Sequence, residues 1–135
     1  MEKYQKITVG GLLVKNGKVL VVRRSSKEDF LPGYYELPGG KVEFGDHPNQ
    51  SLEREFLEEV NLKVRAKNIF FFFFYVSHNK NRHTVELVYF VECDEDIKNI
   101  KLSEEHDDYK WIGLNELDNY VMSDEIKSNI KIGLK

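Results

Sequence analysis

The sequence predicts an α/β fold in which a mixed β-sheet lies between helices, an α/β/α sandwich. Three observations carry this expectation. Runs of β-branched and aromatic residues flank a central amphipathic segment on both sides, a second amphipathic segment closes the chain, and Asn, Gly and Pro punctuate the joints. With 135 residues, 41% of them hydrophobic and 13% aromatic, one domain over residues 1–135 with a core of its own is expected.

The elements follow in order. Ile7 to Val14 is apolar with small residues, Lys15-Asn16-Gly17-Lys18 follows, and Val19 to Val22 is apolar again. Asn-Gly between two apolar runs favours a type I′ turn, because both positions tolerate positive φ, so two antiparallel strands are expected. Ser25 to Tyr34 is polar and irregular, with a turn at Pro32-Gly33. Pro38-Gly39-Gly40 neither continues a strand nor opens a helix comfortably and is expected to be a loop. Pro48 suits the first position of a helix running to about Asn61, with Asp46 or His47 at the N-cap. Leu62 to Val76 and Thr84 to Cys93 have strand composition, joined by a polar turn from Ser77 to His83. Tyr109 to Ile112 is a short strand, and Asn115 to Tyr120 and Asp124 to Ile132 are helices.

Composition excludes several functions. Twenty Lys and Arg against 23 Asp and Glu give a net charge of −3, without the basic surplus that duplex nucleic acid demands. Cys93 is the single cysteine, so neither an intrachain disulfide nor a cysteine-rich zinc site is available. The longest apolar run, Ile69 to Val76, is far too short for a membrane helix. Charges at Glu2, Lys3, Lys6, Lys15 and Lys18 leave no room for a signal-peptide core. A soluble cytoplasmic protein, monomer or homodimer, with no membrane partner is expected.

The helix from Pro48 carries the chemistry. At about 100° per residue, with Leu52 at zero, Phe56 and Val60 fall near ~40° and ~80°, while Glu58, Glu55 and Glu59 fall near ~240°, ~300° and ~340°. One face is therefore apolar, and a separate face presents three carboxylates. Like charges at these spacings destabilise a helix by a few tenths of a kcal/mol per pair, and Arg54 alone cannot neutralise them. A hard divalent cation such as Mg²⁺ or Mn²⁺ would. A solvated acidic face is the competing reading.

The segment in front of the helix decides between these readings. Gly40, five residues, Asp46, seven residues, then Arg54-Glu55-Phe56-Leu57-Glu58-Glu59-Val60-Asn61-Leu62 resembles the signature of the Nudix hydrolases over residues 40–62. Asp46 stands where that signature has glutamate, and Asn61 where it has the glycine that ends the helix; asparagine is the next most tolerated residue there. Tyr35-Glu36-Leu37-Pro38-Gly39-Gly40 is similar to the family's approach to the box. Arg23-Arg24 resembles the arginine pair of the MutT-like branch, and Glu104-Glu105 before Trp111 resembles its acidic loop.

The resemblance implies Mg²⁺- or Mn²⁺-dependent hydrolysis of a nucleoside diphosphate linked to another group. It implies that Glu55, Glu58 and Glu59, with the Gly39 carbonyl and Glu105, hold metal, and that Glu55 or Glu105 takes a proton from water. Arg54 is expected to hold a glutamate in position. Arg23 and Arg24 are expected at phosphates, although neighbours on a strand point to opposite faces and one of them alone can face the site. Tyr34 and Tyr35 are candidates to stack a base. The run Phe70 to Phe74 with Tyr75 is expected to pack in the core under helices. The four histidines and Cys93 are assigned structural or surface roles, and Glu43 a solvated one. A nucleoside triphosphate, oxidised or not, cleaved to the monophosphate and pyrophosphate is the leading reading. Alternatives are a dinucleoside polyphosphate, a nucleotide sugar, or a non-catalytic nucleotide-sensing module.

Overall fold

The computed structural model describes residues 2–135, so Met1 lies outside the described residues. The hairpin forms at the predicted turn. β1 (Tyr4–Lys15) and β2 (Lys18–Arg24) meet across Asn16 and Gly17, whose φ values of 54° and 75° are the left-handed pair of a type I′ turn. After β3 (Tyr35–Glu36) and β4 (Gly39–Lys41) comes α1 (Pro48–Val60), then β5 (Arg65–Ser77), β6 (Arg82–Glu92), β7 (His106–Ile112) and α2 (Asp124–Gly133).

The strands form a mixed sheet with the path β3-β2-β1-β6-β5; β4 adds to β1 and β7 adds to β2. β1 and β6 run parallel, and the remaining strand pairs are antiparallel. Alternation along β1 sends Val9 and Leu13 to one face and Leu12 to the other, giving the sheet two cores. The first packs Leu52, Phe56 and Val60 of α1, all fully buried, each contributing about 1.5–3 kcal/mol. The second packs Ile126 and Ile130 of α2 with Val19, Val21 and Val88. Gly11 makes the α1 contact possible, since a Cβ there would stand 2.5 Å from the Phe56 ring.

α1 begins and ends by simple capping. His47 is its N-cap, its Nδ1 accepting from the Asn49 N–H at 3.1 Å, and Asn61 closes it in the left-handed region at φ 62°.

Three expectations need correction. Gly39 and Gly40 are not loop but strand, paired with Gly10 and Val9, because two glycines let β4 approach β1 where a Cβ on Gly39 would strike the Val9 carbonyl. The segment from Leu62 enters the sheet only at Arg65; Leu62 and Val64 are buried against α1 instead. Leu114–Asn119 is a 3₁₀ turn rather than an α-helix.

The phenylalanine run also departs from expectation. Phe70, Phe71 and Phe73 pack towards the second core, but Phe72 and Phe74 are 70% and 63% exposed. β5 is an edge strand, and those two rings on it are left open to solvent. Among the described residues, no helix is long and apolar enough to cross a membrane.

Candidate active site

Division of the sheet makes the site. β1 pairs with β2 only near the hairpin, Val14 against Val19 and Lys15 against Lys18, while its other half pairs with β4 and β6. The two half-sheets part beyond the hairpin and leave a cleft of about 660 Å³, within the range of small-molecule sites.

Register orders the floor of this cleft in rows, because paired residues share a face. Gly39, Gly10 and Val88 form one row, Lys41, Thr8, Glu86 and Phe73 the next, and Lys6, Thr84 and Tyr75 the third. Arg82 follows beside Tyr4. Loop residues Phe30, Leu31 and Tyr34 form a wall, with Phe30 stacked on Tyr75 at a centroid distance of 5.5 Å.

At one end, β4 and α1 bring acids together. Gly40 leaves the space that Glu55 occupies; a Cβ there would stand 2.4 Å from the Glu55 carboxyl carbon. Glu59 is 3% exposed, accepts from the Gly39 N–H at 3.4 Å and lies 3.8 Å from His106 Nδ1. The other His106 ring nitrogen is 2.8 Å from Glu36. Glu36, Glu55, Glu59 and Glu105 all line the cleft.

Burial, then the charge of Glu36 and the adjacent Glu55, hold the Glu59 carboxyl well above the ordinary carboxylate range. Burial raises Glu55 as well, with Glu58 and Glu105 adding to the rise and Glu59 and Arg54 opposing it. Buried carboxylates that repel one another need a proton or a cation between them. As the side chains stand, no three His, Cys, Asp or Glu residues among those described already enclose an ion. The donor set is nevertheless one a hard divalent cation fits: carboxylate and carbonyl oxygens around a glycine-made space beside Glu55.

The other end is basic. Lys6, Lys41, Lys80 and Arg82 line the cleft, and none is in an ion pair among the described residues. Burial and then repulsion from Arg82, Lys41, Arg24 and Lys80 lower the Lys6 pKa. An anion would relieve both.

The remaining predicted residues divide. Arg54 bonds Asp46 at 2.9 Å and lies 3.7 Å and 3.8 Å from Glu55 and Glu58, so the shorter Asp46 side chain still reaches it. Glu58 itself has a 60% exposed side chain and stands outside the cleft lining. Of the arginine pair, Arg24 faces the cleft and bonds Glu36 and Glu28, whereas Arg23 lies outside the lining and bonds Asp107 at 2.6 Å. Tyr35 borders the cleft but is 7% exposed, its ring edge against Tyr120 and its hydroxyl donating to Asp108 at 2.7 Å. Burial and that bond push its pKa up to about 12. Tyr34 is the more open of the two tyrosines.

A family model, the NUDIX domain, matches residues 5–131. The chain belongs to the Nudix family. It is a Nudix hydrolase, and the stretch that resembles the Nudix box runs from Gly40 on β4 through α1 to Leu62. The nucleoside triphosphatase NudI of Klebsiella pneumoniae (strain 342) is 26% identical over 123 residues, covering 86% of this chain and 87% of that protein. The 8-oxo-dGTP diphosphatase of Buchnera aphidicola subsp. Schizaphis graminum is 29% identical over 126 residues, covering 85% and 82%. In fold, the MutT protein from Methanosarcina mazei Go1 superposes with a TM-score of 0.84 at 24% identity, covering 98% of this chain and 94% of that one. Nudix hydrolases generally use divalent metals such as Mg²⁺.

Glu36, Glu86 and His106, and the cations Lys6, Lys41 and Arg82, lie outside the predicted site. Glu86 carries a readable signal: an acid within the apolar run Val85 to Val91, two residues from Thr84 and Val88, both of which face inward. The cations share no sequence spacing, since β1, β4 and β6 bring them together.

Proposed function

We propose that this Nudix hydrolase cleaves a nucleoside triphosphate to a nucleoside monophosphate and pyrophosphate, with Mg²⁺ or Mn²⁺ as the metal. One observation carries the reading: a single cleft holds mutually repelling carboxylates, Glu59 buried and Glu55 half-buried, at one end and, at the other, cations in no ion pair among the described residues. A polyphosphate with its metal answers the acid end, and the positive field of the other end draws its charge into the cleft. The relatives named as a nucleoside triphosphatase and an 8-oxo-dGTP diphosphatase support the same substrate class and make an oxidised nucleotide a candidate.

In this reading Glu55, Glu59 and Glu105, with the Gly39 carbonyl, would hold the metal, and Glu58 would join them by turning in from outside the cleft lining. When bound, the metal offsets charge on phosphoryl oxygens and acidifies a water. Glu55 or Glu105 accepts the proton of the attacking water. Arg54 positions Glu55 and Glu58, with Asp46 fixing its guanidinium. Arg24, Lys6, Lys41 and Arg82 draw the phosphate chain into the cleft. The working unit is one domain over residues 1–135.

The test is product analysis over a panel of normal and oxidised triphosphates, dinucleoside polyphosphates, ADP-ribose and nucleotide sugars, with Mg²⁺ and with EDTA. The expected result is pyrophosphate from a triphosphate, abolished by EDTA. Cleavage confined to dinucleoside polyphosphates or sugars would replace the substrate class. Tight nucleotide binding with no turnover would make the protein a sensor.

A further inference from the structure

Glu86 has no part in the metal end of the cleft. It stands mid-strand on β6, opposite Thr8 of β1 and Phe73 of β5, in the row of Lys41 and next to that of Lys6, on the floor of the cleft beyond the acids. Its Oε1 accepts from the Thr8 hydroxyl at 3.1 Å. Its Oε2 lies over Gly10, where a Cβ would approach it to 3.1 Å, and no hydrogen bond to it is present among the described residues.

An acid in this place is costly unless something donates to it. Burial, then the charge of Glu36, push its carboxyl from 4.5 up to about 7, against the pull of Thr8 and Lys6. Polar neighbours, Thr8, Lys41 and Lys6, lie on its β1 side, but its β5 side is flat and aromatic: Phe73 beside it, and the Phe30–Tyr75 stack one row further out. A nucleobase has this combination, two apolar faces and an edge of donors and acceptors.

We propose that Glu86 is a specificity residue that selects a base whose buried edge carries an exocyclic amino group. The amino N–H donates to Oε2, while Thr8 holds Oε1 and so fixes the direction of the carboxylate. Once Glu86 is ionised, above about pH 7, a base with a carbonyl at the same position sets two acceptors against each other, so there the residue selects by repulsion as well as attraction. This inference rests on the triphosphatase reading, because it assumes that a nucleotide fills the cleft.

The test compares kcat/KM at about pH 8.5, where Glu86 is ionised, within base pairs that exchange amino for carbonyl: cytosine with uracil, and adenine with hypoxanthine. Guanine with hypoxanthine adds loss of the 2-amino group. Wild type is expected to favour the amino-bearing member of at least one pair by about tenfold or more. Glu86→Gln presents an amide N–H in place of an acceptor and is expected to erase or reverse that ratio. Each ratio is taken within one protein, so a partial loss of fold cancels. Should Glu86→Gln fail to fold, Thr8→Val decides the matter, since freeing Oε1 is expected to narrow the preference and an unchanged preference would overturn the proposal. Equal rates within every pair in wild type, or a preference that Glu86→Gln leaves intact, would also overturn it. A wild type that turns over no nucleotide at all would instead remove the triphosphatase reading.

Discussion

The two ends of the cleft are built in different ways. The heart of the acid end, Glu55 and Glu59, comes from one continuous stretch, Gly39 to Glu59, in which a two-glycine strand and a capped helix set the carboxylates by local geometry. Glu36, Glu105 and His106 join from outside it. The Glu86 end is assembled from β1, β5 and β6, where Thr8, Phe73 and Glu86 meet only through strand register. Locally encoded chemistry can be read from spacing; chemistry assembled by register cannot. In the proposed reading the difference is also functional, with the local end carrying the reaction and the assembled end choosing the substrate.

Predictions that break this division begin with the glycine that admits Glu55. Gly40→Ala places a Cβ 2.4 Å from the Glu55 carboxyl carbon. Displacing that side chain should lower kcat by about 100-fold with the fold retained, checked by steady-state kinetics beside circular dichroism. Unchanged kcat would mean that Glu55 has no positional role.

Phe56→Ala should damage both ends together, because its ring joins α1 to β1 over Gly11. A loss of about 3–5 kcal/mol is expected in urea unfolding. A loss below about 1 kcal/mol would mean that α1 is held elsewhere.

Proton linkage sharpens the comparison further. Glu55, Glu59 and Glu86 have raised pKa values, so the folded chain keeps protons that the unfolded chain releases. Their contribution is fully present below the unfolded value and is lost as pH rises through the folded ones. For Glu86 that window runs from 4.5 to about 7. Asp94 and Asp108 are shifted below 3.8 and act in the opposite sense only in more acid solution. The Tm of the cation-free protein should therefore fall between about pH 5 and pH 8, and Mg²⁺ should recover part of the fall. Glu59→Gln should flatten the profile; an identical slope in that variant would contradict the shared-proton account.

The smallest effect belongs to the outer face of β5. Phe74→Ser removes a ring that is mostly in solvent and touches neither end of the cleft. Stability should change by no more than about 0.5 kcal/mol, with activity unaltered.

The same contrast explains what was legible beforehand. Asn16-Gly17, the Pro48 start and the Asn61 stop each act through their own backbone preferences, and all three appear where expected. The Glu55 and Glu59 pairing follows from helical period alone. β4 was hidden because its glycines matter only against β1. Phe72 and Phe74 were misplaced because nothing in the run states that β5 is an edge. Arg23 and Arg24 were legible as alternatives, but the face was decided by Glu36 and Glu28 on one side and Asp107 on the other.

The most direct test sets Glu59→Gln beside Glu86→Gln on one amino and carbonyl pair of triphosphates. Glu59→Gln should depress turnover of both members alike, by at least about 100-fold, and leave their ratio as in wild type. Glu86→Gln should change the ratio. A shifted base ratio in Glu59→Gln, or a uniform loss with an unchanged ratio in Glu86→Gln, would contradict the separation of chemistry from base selection.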